Sequence, residues 1–528
     1  MNTSRFFCWL VGIGLLIGAG SARGQTTLSA DQLAELTPTA GIPSNFVQVL
    51  HAQGDSLWVG PLLNVTTDGG DTFLSAPQDA LGNDQNQVFA FDVEGQPGGG
   101  SVIWAGLAFD AGDGQAGAGG FTFSTDGGDS FTYRFPQLDS PDNQSVQYGG
   151  STLDAAPITQ EAGNAPTGVD FDPRTGDVWV AGGFSGVRRS TDQGETWDRV
   201  VLPPDSLSAI NPDSTYSFFV GPPRQNRGWL NYIAFDVLVD QSGTVWAGTA
   251  AGLNRSRPED VRPNGRIWQR FAYNRTPDGL TGNRVIAIEE QVRSGQPNAI
   301  WMATWPFNVA QGDRQRFGVT VTRDGGATFE QMLIGERIFD LAFHDGRIYA
   351  AGDRGLFISD NDGRTWQSIR NFELSDPEAF VRSNVSVRAV ATTTSAVWAG
   401  TDEGLLRRPI GAEAWSLYRA DVPVNPETPS EAVPDVETYA YPNPFSPAAD
   451  RVVRIRYELE QPADVEVRIF DFSMNLVRRI VDAGQSAGEQ ETEWDGTDSA
   501  GLRVANGPYF YTVDTGEKTV RGKILIME

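Results

Sequence analysis

Apolar and polar residues alternate in short runs along most of this chain, bounded by Gly, Asp and Pro, without the spacing of an amphipathic helix. One apolar phrase recurs: LWVG from Leu57, IWAG from Ile103, VWVAG from Val178, VWAGT from Val245, IWMAT from Ile300, IYAAG from Ile348 and VWAGT from Val397. Strand-like runs precede it, as in VFAFDV from Val88, GVDFDP from Gly168, IAFDVLV from Ile233, VIAIEE from Val285, FDLAFH from Phe339 and VRAVAT from Val387. Seven copies between Trp58 and Trp398 give a mean period of about 57 residues, the mark of a repeat architecture.

An octapeptide follows the phrase in five units: TTDGGDTF from Thr66, STDGGDSF from Ser124, STDQGETW from Ser190, TRDGGATF from Thr322 and SDNDGRTW from Ser359. Each reads as a tight hairpin turn. Asp68, Asp126, Asp192, Asp324 and Asp362 are expected to accept turn amides, a following Gly supplies positive φ, and the closing Phe or Trp anchors the outgoing strand. A unit is then four strands, an inner hairpin and an outer one, and seven units predict an all-β chain folded as a seven-bladed β-propeller.

These octapeptides resemble the Asp-box, or BNR repeat, of sialidases, sortilin-type receptors, xyloglucanases and many exported bacterial propellers. The resemblance runs from about Phe46 to Tyr418. Units four and seven depart from it, keeping only Trp268 and Trp415 of the motif. The resemblance implies that the box aspartates are structural and lie away from any ligand. Trp197 and Trp366 read as core residues.

In four-stranded units the boxes and the first turns share one rim, and the remaining connections leave from the other. The long segments 108–119, 134–166, 203–230 and 305–316 are of the second kind, and binding is usually built on such loops. They carry Tyr148, Tyr216, Phe218, Phe219, Trp229, Trp305 and Phe307 as ligand-binding candidates, able to stack on sugars, to grip a peptide or simply to pin the loops. The Gly/Asp-rich stretch 110–120 lacks ordered calcium-ligand spacing and reads as a flexible loop.

Beyond the repeats, residues 421–437 form a Pro/Glu-rich linker, and 438–528 alternate as a small antiparallel sandwich with Val453, Ile455, Tyr457, Val465, Val467 and Ile469 inward. This tail resembles the Ig-like C-terminal domain of flagellar hook-capping proteins and of type IX secretion cargo. The matching positions include Tyr441, Pro442, Asn443, Pro444, Phe445, Trp494, Asp495 and Gly496. Met474-Asn475 stands where that family has a turn Gly, and Asn475 tolerates the left-handed conformation. The resemblance implies recognition by export machinery, with the domain then cleaved or retained as an anchor.

Residues 1–24 read as a signal peptide, with Arg5 before an apolar run and small residues at 22–24, and 25–45 as a lead-in to the propeller at 46–420. Cys8 is the one cysteine and falls in that signal, which removes thiol chemistry and disulfides from the mature chain. No other stretch is long and apolar enough to span a membrane. The net charge of −27 opposes nucleic acid and anionic membranes, and 43 Asp with two Lys suits a salty medium, although high GC content also replaces Lys by Arg. The F/Y-R-I-P sequence of sialidases is missing, and two histidines give little support to a metal centre or a Ser/His/Asp triad.

The expectation is a secreted or surface protein, without cofactor or metal, whose long-connection face binds a polysaccharide or protein. A glycoside hydrolase and a scaffold subunit of a surface complex are the alternatives.

Overall fold

The computed structural model describes residues 37–39, 41–419 and 438–526, apart from 43, 77, 84, 96–99, 113, 137, 225–226, 308–313, 377–378, 380, 442, 444, 446, 448–451 and 517. The expected signal peptide, most of the lead-in, the linker, Pro442 and Pro444 lie outside the described residues. The chain divides into a larger unit, which holds the sheets up to Arg419, and a smaller one, which holds those from Thr438.

The larger unit contains seven antiparallel sheets of four or five strands among the described residues, each keeping its first four repeat strands in chain order or nearly so. The recurring apolar phrase is the second strand each time. Its aromatic residue is buried in all seven, from Trp58 through Trp104, Trp179, Trp246, Trp301 and Tyr349 to Trp398. Each buried indole removes about 150–250 Å² from water, worth roughly 4–6 kcal/mol before entropy is counted. The clusters containing these rings lie between successive sheets, so burial welds one unit to the next.

The first strand of each sheet, such as Gln87–Gly95, Pro166–Asp172 and Ala234–Val239, packs against the first strand of the sheet that follows. The seventh sheet meets the first in the same way. Val47 N donates to Thr401 O at 2.9 Å, the counterpart of Val88 N to Pro61 O at 2.7 Å between the first two sheets. Glycine in the second strand permits this approach, since a Cβ on Gly248 would stand 2.7 Å from Val285 O, and one on Gly400 2.5 Å from Val47 O.

Two sheets carry a fifth strand that the repeat pattern does not announce. Thr37–Thr39 pairs with Phe73–Ser75, and Ala209–Ile210 with Trp268–Phe271, covering outer edges otherwise open to pairing. The segment 134–166 contains a hairpin, Ser145–Tyr148 with Ser151–Asp154, and meets segment 203–230 through a parallel bridge from Ala155 to Val220. Of the stretch 110–120, expected to be a flexible loop, Asp110 and residues 116–120 are instead strand on either side of a short turn. Ser101–Asp110 and Ala116–Ser124 pair as far as Asp110 and Ala116, and Ala111 N closes the turn onto Gln115 O at 2.9 Å. Small residues here let the backbone ladder continue without steric conflict.

The smaller unit has a three-stranded and a four-stranded antiparallel sheet around one core. The six residues expected inward are all buried there. Met474, rather than Asn475, takes the left-handed conformation, at φ 65°. The reason is Asp471, whose Oδ1 accepts Asn475 N at 2.8 Å and whose Oδ2 accepts the Asn475 amide at 2.9 Å, which holds Asn475 past the turn.

Candidate functional site

The octapeptide aspartates are consumed by their own turns. In the third sheet Ser190 Oγ donates to Asp192 Oδ1 at 2.8 Å and accepts Gly194 N at 2.8 Å, while Thr196 N and Thr196 Oγ1 donate to the two carboxylate oxygens at 2.8 and 2.5 Å. Asp68, Asp126 and Asp324 repeat this geometry. The Thr72 hydroxyl and amide hold the Asp68 carboxyl down at about 2. Asp362 does not belong to the set. Asn361 occupies the accepting position, with Thr365 N at 2.9 Å, while Asp362 takes φ 61° and faces Arg293 at 3.1 Å and Arg323 at 3.3 Å. The serine-to-threonine spacing, not the Asp-Gly pair, fixes which side chain caps the turn.

The predicted ligand aromatics separate into two groups. Tyr148 is buried, with its hydroxyl donating to Arg266 O at 2.9 Å, and contacts Tyr216 at 6.0 Å, which in turn contacts Phe218 at 5.8 Å. Trp229 donates its indole N–H to Phe219 O at 2.9 Å, and Arg227 stacks over the half-buried Phe219 ring at 4.3 Å. The Tyr148–Tyr216 contact joins the two long segments, while Phe218, Phe219 and Trp229 make contacts within segment 203–230. Trp305 belongs to the second group; it is buried, and its indole donates to Ile338 O at 2.7 Å. Phe307, half-buried, packs beside Ile233, Phe235 and Ala250.

Around Trp305 the structure assembles a belt that no single segment contains. Six of the seven first strands slip register at the same point, which places Phe89, Thr167, Phe235, Ile286, Phe339 and Arg388 at the bulge. A bulge re-aims a side chain out of the ladder. Here it brings rings and guanidinium groups into alternation. Arg284 lies 4.5 Å from the Phe235 ring and 5.2 Å from Trp305. Arg337 lies 4.3 Å from Trp305 and 5.3 Å from Phe339. Arg388 lies 4.9 Å from Phe339 and 5.8 Å from Phe46. The belt thus runs from the fourth sheet to the lead of the first. Arg388 is neutralised by Asp402 at 2.8 Å, whereas Arg337 makes no ion pair among the described residues. The one available signal was the repeated Phe before Ala or Asp in VFAFDV, IAFDVLV and FDLAFH.

In the smaller unit, Phe445 and Trp494 of the named motif lie in the core, and other motif residues bond to its strands and turns. Phe445 is fully buried, and its N donates to Leu525 O at 2.8 Å. Asn443 bridges the last strand through Lys523 O at 3.0 Å and Leu525 N at 2.8 Å. Trp494 is buried and donates to Thr497 O at 2.8 Å, Asp495 accepts Thr497 Oγ1 at 2.6 Å, and Gly496 has φ 71°. Tyr441 directs its hydroxyl at Glu491. Residues 445–518 match the FlgD Ig-like domain.

No curated protein matches the chain. Among solved structures, the chain is similar to PorZ, described as a surface component of the type-IX secretion system of Porphyromonas gingivalis, at 14% identity and TM-score 0.42, over 91% of this chain and 66% of that one. It is also similar to YCF48 from Cyanidioschyzon merolae, at 16% identity and TM-score 0.38, over 72% and 98%. An ancestral GH74 enzyme aligns at 14% identity and TM-score 0.31, over 92% and 72%. Likenesses this distant carry no inference about activity. The FlgD Ig-like span omits Tyr441 and Asn443, although Tyr441 pairs with Arg454 and Asn443 is hydrogen-bonded to the last strand.

Carboxylates on the first strands are the feature that sequence reasoning passed over. Asp92 Oδ2 accepts Phe171 N at 2.6 Å, Asp236 Oδ2 accepts Ile288 N at 2.7 Å and Asp340 Oδ2 accepts Val390 N at 2.8 Å, each reaching the first strand of the next sheet. Burial pushes Asp92 and Asp236 up to about 8 and Asp340 to about 7, with Glu94 adding to the effect on Asp92. Asp170 and Glu289 are raised too, by burial first and then by Asp92 and Asp340 respectively. Strands surround these groups, yet Asp170, Asp236, Glu289 and Asp340 keep some accessible surface, so water screens part of that cost. His51, on the first strand of the first sheet, is pushed down to about 4 by burial. Among the described residues, no group of three or more His, Cys, Asp or Glu is placed to hold a metal ion.

Proposed function

We propose that this is an exported or cell-surface binding protein whose seven sheets close into a seven-bladed β-propeller of the Asp-box type. The seam from Val47 to Thr401 and the close approach at Gly400 support closure. The ligand, a polysaccharide or a protein, takes the face from which the long connections leave. The belt of Phe235, Arg284, Trp305, Arg337, Phe339, Arg388 and Phe46 carries this reading, because Phe46, Phe339 and the three guanidinium groups keep accessible surface beside the buried Phe235 and Trp305 rings and offer stacking and hydrogen bonds. The C-terminal Ig-like domain directs secretion or surface attachment, a role supported by the FlgD Ig-like match.

A glycan and protein array probed with the full chain and with Arg337→Ala tests the face. Loss of a specific signal in the variant is the expected result; an unchanged signal refutes the assignment. The hydrolase alternative draws on Asp236 and Asp340, whose carboxyl pKa values burial raises and which lie at the belt end of their strands. Both already accept backbone amides, so array ligands should be recovered uncut. Undiminished secretion after deletion of 439–528 would remove the sorting role.

A further inference from the structure

The chain carries a net charge of −27, yet one cavity in the larger unit is lined by four arginines. It lies among the Ser145–Tyr148 strand, the outer strand Asp198–Arg199 of the third sheet, and the hairpin of Val261–Arg262 with Gly265–Arg266. That hairpin stands where other sheets carry the octapeptide. The cavity measures about 380 Å³, and Arg189, Arg199, Arg262 and Arg266 line it beside Gln147 and Asn264.

Their charges are incompletely balanced. Arg189 pairs with Asp177 at 2.6 Å. Arg199, its side chain only 5% exposed, shares Asp139 with the equally buried Arg188, at 2.7 and 2.9 Å, so one carboxylate serves two guanidinium groups. Arg199 Nε and Nη1 are buried without an acceptor. Arg262 stands 3.8 Å from the exposed Asp213. Arg266 makes no ion pair among the described residues; its Nη1 is buried without an acceptor, and its guanidinium lies 5.0 Å from the Trp179 ring that Arg189 also approaches, at 5.6 Å. Burial first, and then the like charge of Arg189, pushes the Arg266 pKa down. Asp198, the carboxylate on the lining, is exposed and makes no ion pair among the described residues.

We propose that this cavity binds the carboxylate of an acidic sugar residue, with Arg266 as its anchor. A guanidinium presents two parallel N–H groups that match a carboxylate, and bringing one here gives an acceptor to a half-buried cation that makes no ion pair among the described residues. The volume falls within the range of small-molecule sites, about 300–1,000 Å³. The exposed amides of Gln147 and Asn264 supply donors and acceptors for ring hydroxyls, which suits a compact hydroxylated ring better than an extended chain. This site shares no residue with the belt and stands independently of the function proposed for it.

Isothermal titration of the full chain with sodium galacturonate, galactose, sodium sulfate and a tripeptide with a free C-terminus tests the proposal. Galacturonate should bind and galactose should not. Arg266→Gln should weaken galacturonate by roughly 10- to 100-fold, Arg266→Lys by less, and the belt variant Arg337→Ala not at all. If Arg266→Gln fails to fold, Asn264→Ala, on the exposed rim, should still lower affinity for galacturonate. Equal binding of galactose, equal binding of sulfate as an adventitious ion only, preference for the tripeptide, or an undiminished Arg266→Gln variant would each overturn it.

Discussion

Replacing Asp236 by Asn should flatten the loss of stability that is expected of the wild-type protein between pH 5 and pH 9. Asp236 has a folded-state pKa of about 8 against 3.8 when unfolded. A group raised in this way contributes fully below pH 3.8, where both states are protonated, and loses that contribution as pH rises to about 8. The shift of ~4 units is worth about 5–6 kcal/mol at roughly 1.4 kcal/mol per unit for a fully desolvated group. Water reaches part of the Asp236 surface, and this screening reduces the value to roughly 2–3 kcal/mol.

Asn stays neutral at every pH and keeps one oxygen for Ile288 N, while its NH₂ turns towards Val237 N and loses that bond, costing about 1 kcal/mol. The variant should therefore be slightly less stable at pH 5 and more stable at pH 9. His51 slopes the other way. Its pKa falls from 6.5 to about 4 on folding, so its contribution is present above pH 6.5 and is lost as pH falls through about 4. Subtracting the two proteins' curves, from urea unfolding at each pH, removes His51 and isolates Asp236. Parallel curves from pH 5 to pH 9 would refute the reasoning, because they would mean that Asp236 is already ionised in the folded protein.

Three further outcomes are expected. Asp192→Ala should cost about 1–2 kcal/mol in denaturant unfolding, since Thr196 N and both hydroxyls lose their acceptor, whereas Asp362→Ala, which removes only partly exposed ion pairs, should cost less than about 1 kcal/mol. Tyr232→Phe should leave the melting temperature level or raise it, because its buried hydroxyl has no protein partner among the described residues; a fall equivalent to more than about 1 kcal/mol would show that ordered water links it to the structure. Met474→Gly should stabilise the smaller unit by about 0.5–1 kcal/mol by relieving a positive φ, as read from its own unfolding transition.

Features whose cause is local were the ones legible beforehand. The hairpin turns followed from residues at most four positions apart, and even the misassigned Asp362 lies beside the true capping residue, Asn361. In the smaller unit, period-two alternation identified six core residues correctly, because a pleated strand sends every second side chain to one face. The aromatic set succeeded less well. Tyr148 and Trp305 were chosen for sitting in long connections, yet both are buried, with their polar atoms bonded to backbone carbonyls. Large rings in a connection do not reveal which way they turn, since packing against neighbouring sheets decides it.

Taken alone, the amino-acid order determined the all-β class, the recurrence of the strand phrase, the octapeptide turns and the inward face of the smaller unit's strands, all of which depend on local spacing. Only the tertiary structure decided which units face one another. The Arg337 guanidinium meets Trp305 and Phe339, and Arg266 makes no ion pair among the described residues although Asp residues are plentiful, because contacts across sheets depend on how separate strands stack. Sequence distance carries no information about that stacking, and the bulges that re-aim Phe235 and Phe339 exist only once neighbouring strands have paired.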